Sequence, residues 1–241
     1  MRGVIIFIMA SLIFAYCEDF FKIMPAKNKV VIDGDLKEWV REGKFGPVFL
    51  DEELIDTHSS LFYGMYDDEN LYLACEVKDP DPMKNKGVPE IGVYWHGDSI
   101  TFRFCISPEY SKKDFSTSSE KDNPYIFHIS FWHNDQKNKD FVLIKNGMKY
   151  KDYQVDGVEV KFKKWEKNNG YTMEAKVSFS LLSKEVKVKP GDRIRWTMDT
   201  IWGTVNSDGC MFKAVALGDE LNYQKTNFWG WAEFIKTGGE R

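Results

Sequence analysis

Cysteine is scarce in this chain: four in 241 residues, at positions 17, 75, 105 and 210, with no C-x-x-C spacing. That argues against a disulfide framework and against a structural zinc site, both of which need closely spaced pairs. Charge of one sign is lacking too, since 33 Lys and Arg are interspersed among 37 Asp and Glu for a net charge of -4. A nucleic-acid partner is therefore not expected, because the basic stripe that phosphate backbones require is missing. No stretch approaches the roughly 20 apolar residues of a membrane span. The sequence also lacks a G-x-S-x-G elbow, an H-E-x-x-H pair, a P-loop and a G-x-G-x-x-G turn, which lowers the case for an enzyme. Beyond residue 25 there is no Pro-, Gly- or Ser-rich linker and no repeat with a period of about 20 to 50 residues, so one domain over residues 26–237 is expected.

The first residues stand apart. Arg2 precedes an apolar run from Val4 to Phe14, and Ala15 and Cys17 occupy the −3 and −1 positions of a cut before Glu18. Residues 1–17 thus read as a signal peptide, and the mature protein as secreted or periplasmic. An acylated Cys17 is the lesser alternative, disfavoured by the bulky Tyr16 before it. Removal of Cys17 leaves an odd number of cysteines, and Cys75 lies on the apolar parity of its segment, as a small buried hydrophobe would.

What is abundant is alternation. Leu71, Leu73, Cys75 and Val77 fall on one side of an extended segment, as do Ile100, Phe102, Phe104 and Ile106. The same period of two runs through Phe127, Ile129 and Phe131; Val158, Val160 and Phe162; Tyr171 to Phe179; and Ile194, Trp196 and Met198. Turns of the left-handed-tolerant type, Asp67 to Asn70 and Lys167 to Gly170, join neighbouring segments as hairpins. The predicted fold class is all-β: an antiparallel β-sandwich, jelly-roll-like or immunoglobulin-like. One early helix is predicted over "GDLKEWV", with Asp35 as N-cap and Glu38 at capping-box spacing.

The opposite parity of these strands carries the chemistry. It presents Thr101, Arg103 and Cys105, then His128, Ser130 and Trp132, then Arg195, Thr197 and Asp199. A solvated face does this in any antiparallel sandwich. The mixture of directional hydrogen-bonding groups with a flat aromatic also matches a sugar, which has a hydroxyl edge and a C–H face.

Four segments in order, "VVIDGDLKEW", "MYDDENLYLACEVKDPDP", "WHGDSITFRF" and "NFWGWAEF", resemble the successive signatures of family 9 carbohydrate-binding modules and their relatives. The stretch around "SPEYSKKDFSTSSEKDNP" and residues 203–227 depart from that pattern. The resemblance implies a β-sandwich, often calcium-containing, that holds a poly- or oligosaccharide between two aromatics over a polar sheet face. One aromatic of that family precedes the strand that begins Asp-Ser, where this chain has Trp95; the ring is either covered by a ligand or folded over the sandwich edge. Tyr223 is the candidate for the second. Thr101, His128 and Thr197 stand where the family has Glu, Arg and Gln, which separates this chain from the family's known glycan specificity. Together with Arg103, Trp132 and Asp199 these are the candidate ligand-binding residues.

For calcium, Asp67, Asp68, Asp79 and Asp81 lie in turns where carboxylates and carbonyls can assemble six to eight oxygens, although turn formation alone explains them. Two other functions fit a sandwich: a haem-binding electron-transfer domain drawing on His58, His96, His128 or His133 and a methionine, and a protein-binding adhesion or scaffold module. Against haem, no C-x-x-C-H attachment is present, and His128 and His133 should face opposite ways on one strand.

Overall fold

The structure, a computed structural model, describes residues 20–49, 51–88, 94–113, 123–146, 149–153, 156–167, 169–203, 210–217 and 225–236. The predicted signal peptide and Tyr223 lie outside the described residues. The strands are β1 (Phe21–Pro25), β2 (Phe45–Val48), β3 (Ser59–Tyr66), β4 (Asn70–Lys78), β5 (Ser99–Cys105), β6 (Ile126–Asn134) and β7 (Lys139–Asn146). They continue with β8 (Lys149–Tyr153), β9 (Val158–Lys164), β10 (Gly170–Ser178), β11 (Arg193–Gly203), β12 (Cys210–Ala216) and β13 (Gly230–Phe234).

Hydrogen bonding orders them β8-β7-β6-β5-β11-β13-β1-β3-β4-β10-β9, with β12 also on β11 and β2 also on β3. The path curls until its ends meet, where the Phe162 backbone N–H of β9 donates to Asp140 Oδ2 of β7 at 3.2 Å. The all-β sandwich expected from the alternation is the observed architecture. Its antiparallel character has one exception: β1 runs parallel to both β13 and β3.

Between the layers lie the apolar parities read from the sequence, including Leu73, Cys75, Phe102, Phe104, Ile129, Phe131, Tyr171 and Met173, all wholly buried. Trp196 stacks on Phe104 at 4.7 Å, and Phe102 meets Phe62 of the opposing layer edge-on at 5.7 Å. Such aromatic pairs add directional packing to the area they bury. Burial pushes the Cys75 thiol well above its usual range, which leaves it inert.

Both predicted hairpins form, β3 pairing antiparallel with β4 and β9 with β10, although Asn168 of the second turn lies outside the described residues. Asp67 Oδ1 accepts from the Glu69 and Asn70 backbone N–H groups at 2.8 and 2.7 Å, closing β3 onto β4. The predicted helix does not form: residues 33–40 make turns, and Glu38 accepts from Val31 N at 2.8 Å instead of capping. The reason lies in β10. Glu174, wholly buried on the outer face of that strand, accepts from Asp33 N at 3.0 Å, Gly34 N at 2.6 Å and Trp39 Nε1 at 2.6 Å. Gly34, at φ +85°, passes so close to Lys163 that a Cβ would sit 2.5 Å from its Cβ, so only glycine fits. A buried carboxylate satisfied by these donors outweighs the local preference for one helical turn, which is marginal by itself. Burial still raises Glu174 to a pKa of about 7 despite those hydrogen bonds.

The segment so pinned covers a second apolar cluster, in which Val30, Leu36 and Trp39 pack on Tyr63, Met65, Tyr72 and Ala74. The outer face of the other layer has a smaller one, Trp132, Phe141 and Leu143, with Tyr94 against it. Each layer is thus partly roofed by a loop.

Candidate functional site

Register lines up the outward side chains of β7, β6, β5 and β11 in rows. Lys145 lies opposite His128, His128 opposite Arg103, and Arg103 opposite Thr197. The adjacent row runs Leu143, Ser130, Thr101 and Asp199. The structure therefore brings together Thr101, Arg103, His128, Thr197 and Asp199, with Trp132 one row further along β6.

These residues are not a solvated face. Arg103 is 2% exposed and Asp199 0%, and the guanidinium and carboxylate form a close ion pair. Burial opposes the charge on Arg103, but Asp199 and a hydrogen bond with the Tyr94 side chain outweigh it and raise its pKa. Thr101 and Ser130 hydroxyls hydrogen-bond at 2.9 Å, Thr197 Oγ1 donates to Ala216 O at 2.9 Å, and Trp132 Nε1 donates to Gly87 O at 2.9 Å. His128, 7% exposed, packs edge-on against Trp229 at 5.9 Å. Its Nε2 is buried with no hydrogen-bond partner. Burial, then the charges of Arg103 and Lys145, hold this imidazole well below its usual pKa and hence neutral.

Trp95 stands at the mouth of this arrangement, 38% exposed. The loop that carries it is built rigidly. Asn85 Nδ2 donates to Tyr94 O at 2.7 Å and Asp98 O at 3.1 Å. Asp98 accepts from Lys84 N at 2.8 Å and Gly203 N at 2.6 Å. Gly97 is required because a Cβ would lie 2.1 Å from Lys84 O. The Trp95 ring meets Tyr94 edge-on at 5.1 Å and His96 at 5.8 Å, and Lys145 Nζ stands 6.0 Å from its centroid. A flat apolar surface thus opens beside a preorganised set of polar groups. Tyr94, Lys145 and Trp229 belong to this site and were not singled out from sequence; the register of β7 against β6 is what places Lys145 there.

Of the acidic candidates, Asp67 is engaged by its turn and by the Tyr72 hydroxyl at 2.6 Å, and Asp68 is exposed. Asp79 differs, being buried beside Asp98. Its Oδ1 accepts from Asp81 N at 2.8 Å, while its Oδ2 and that of Asp81 are buried without hydrogen-bond partners. Burial and then the neighbouring Asp79 push the Asp98 carboxyl well above its usual range, and burial raises Asp79 as well. Among the described residues no group of three or more His, Cys, Asp or Glu is arranged to hold a metal ion. His128 and His133 face opposite sides of β6, as expected, and His133 Nδ1 is 2.7 Å from Asp140 Oδ1.

A family 9 carbohydrate-binding module from Caldicellulosiruptor kristjanssonii, solved in complex with glucose, superposes with a TM-score of 0.61 at 15% identity, covering 91% of this chain and 98% of that one. The chain has the family 9 module fold. The cellotriose complex from the same organism gives a TM-score of 0.61 at 16% identity, covering 90% and 95% of the two chains. A carbohydrate-binding protein from Bacteroides uniformis, so described provisionally, gives 0.52 at 10% identity over 88% and 97%. No protein-family model and no curated protein matches the sequence. In this chain the "WHGDSITFRF" segment leads into β5, and Trp95 emerges just ahead of that strand.

Proposed function

We propose that this chain is a non-catalytic carbohydrate-binding module, exported from the cell, that holds an oligo- or polysaccharide against Trp95. The observation that carries this reading is the exposed Trp95 ring on a loop locked by Asn85 and Asp98, next to buried donors and acceptors. An exposed aromatic on a rigid support offers contact area at low entropic cost, and the buried polar row behind the loop holds that support in place. The same fold holds glucose and cellotriose in the Caldicellulosiruptor modules. Calorimetric titration of the purified protein against a panel of neutral and acidic oligosaccharides tests the reading. Saturable binding to at least one class is expected; a panel without any binding ends it.

Calcium has its best place at Asp79 and Asp98. Two adjoining buried carboxyls cannot both ionise without a counter-charge, so they share either a proton or a cation. A calcium ion there would take oxygens of Asp79 and Asp98 and complete its shell with backbone carbonyls and water. At about 100 times its dissociation constant it would stabilise the fold by about 2.7 kcal/mol, and so raise Tm by roughly 5 to 10 °C for a chain of this length. Excess chelator at neutral pH is expected to reverse that rise. Identical melting curves with calcium and with chelator assign the pair to a shared proton.

A further inference from the structure

The layer opposite the one that carries Trp95 holds another aromatic in a polar hollow. On the outward parity of β4, β10 and β9, register sets Glu76 opposite Thr172 and Thr172 opposite Lys163. Over this row opens a cavity of about 520 Å³, with Trp165, Glu76 and Arg41 in its lining. Small-molecule sites span roughly 300 to 1,000 Å³.

Each wall is held in place. Trp165 follows β9; its indole N–H donates to Thr172 Oγ1 at 3.0 Å, and its ring lies against Gly170, where a Cβ would come 2.5 Å from ring carbon Cζ3. Gly34, Asp35 and Leu36 form another side, and Glu174 pins that segment by accepting from Gly34 N at 2.6 Å. Glu76 Oε2 accepts from the Tyr63 hydroxyl and from Arg41 Nη1 at 3.0 Å, which sets the direction of the carboxylate.

What these contacts leave over is reachable. Trp165 is half-buried. Glu76 Oε1 makes no hydrogen bond with a described residue, and that side chain is 25% exposed. Arg41 engages Tyr63 and Glu76 through Nη1 alone and is 52% exposed, so its other N–H groups stay open to a ligand. A pyranose matches this set: its C–H face covers an indole, one hydroxyl donates to Glu76 Oε1, and a neighbouring hydroxyl accepts from Arg41. Hydrogen bonds to charged partners are about twice as strong as neutral ones. A sugar carboxylate would meet the like charge of Glu76, so the ring that fits is a neutral one.

We propose that this hollow is a second saccharide site, for a neutral pyranose stacked on Trp165 with adjacent hydroxyls on Glu76 and Arg41. It rests on the reading of the chain as a carbohydrate-binding module, but not on Trp95. Sites on the outward faces of opposed layers let one molecule hold two glycan chains, or two stretches of one, with the second engagement governed by effective concentration.

The test is calorimetric titration with neutral gluco-, xylo- and manno-oligosaccharides, beside a thermal melt of each variant. Two saccharides per chain are expected in the unsubstituted protein. Trp95→Ala should keep one, and adding Trp165→Ala or Glu76→Gln should weaken that one at least about tenfold. Trp165 also supports the turn between β9 and β10, so Glu76→Gln, which keeps the side-chain shape, decides the matter if Trp165→Ala does not fold. One saccharide per chain, abolished by Trp95→Ala, overturns the second site and leaves the first standing. Residual binding in Trp95→Ala that neither further substitution weakens overturns it as well. A single saccharide lost with Trp165→Ala but not with Trp95→Ala sustains this site and ends the other; absence of binding to every oligosaccharide removes both.

Discussion

Replacing Arg103 by alanine is expected to lower the free energy of unfolding by about 3 to 5 kcal/mol, the cost of leaving a buried charge without its partner. Asp199 is wholly buried on β11, and Arg103 on β5 is its counter-ion. Removing the guanidinium also takes a hydrogen bond from Tyr94. Against a total stability of about 5 to 15 kcal/mol for a domain, such a loss is large enough to read directly in a urea melt. The paired substitution Arg103→Met with Asp199→Leu should recover most of it, since an apolar pair of similar volume avoids the desolvation that an ion pair must overcome. Full stability in the Arg103→Ala protein would mean that the pair does not hold β5 to β11 in solution.

Trp95→Ala is expected to behave in the opposite way, with a large effect on binding and a small one on folding. A central aromatic at a binding surface costs about 1 to 3 kcal/mol when truncated, a loss of roughly 5- to 150-fold in affinity. The ring is 38% exposed and its protein contacts are edge-on to Tyr94 and His96. Stability should therefore fall by no more than about 1 kcal/mol, the scale of an aromatic pair. Trp95→Phe should restore part of the affinity because a smaller flat surface remains. Calorimetry on the best-bound oligosaccharide, with a denaturant melt of each variant, separates the two effects. A ring that caps the core would instead give a loss of roughly 3 to 5 kcal/mol in stability.

The contrast between these two residues also shows what alternation can and cannot convey. Period two identifies the inward set of each strand, and Phe102, Phe104, Ile129 and Met173 are buried between the layers as that pattern requires. The outward set has the same period whether water or a loop lies over it. Thr101, Arg103, His128 and Asp199 therefore read as a wet face although they are buried, with Tyr94 against Arg103 and Trp229 against His128. The turn from Asp67 to Asn70 was legible because its hydrogen bonds close within four residues. The conformation of "GDLKEW" was not, because Asp33 and Gly34 answer to Glu174, a residue 140 positions beyond Gly34. Trp95 was legible for a related reason: a tryptophan with a glycine and an aspartate just beyond it, at the head of a strand, has few local ways to be covered. Lys145 needed the register of β7 on β6, which its own segment does not encode.

The place of β1 sets the order in which this molecule can be completed. It lies between β13 and β3, with Phe21 opposite Ala232 on one side and Ile23 opposite Gly64 on the other. The first described strand therefore waits for the last before its second edge is paired. Contacts that join distant parts of a chain slow folding, since the loop they close must be ordered first. During synthesis β3 can dress one flank of β1 early, but the other stays an open template for stray pairing until Gly230 to Phe234 arrive. Of the described strands, β13 is the one whose arrival joins the β11 side of the sheet to the β1–β3 side.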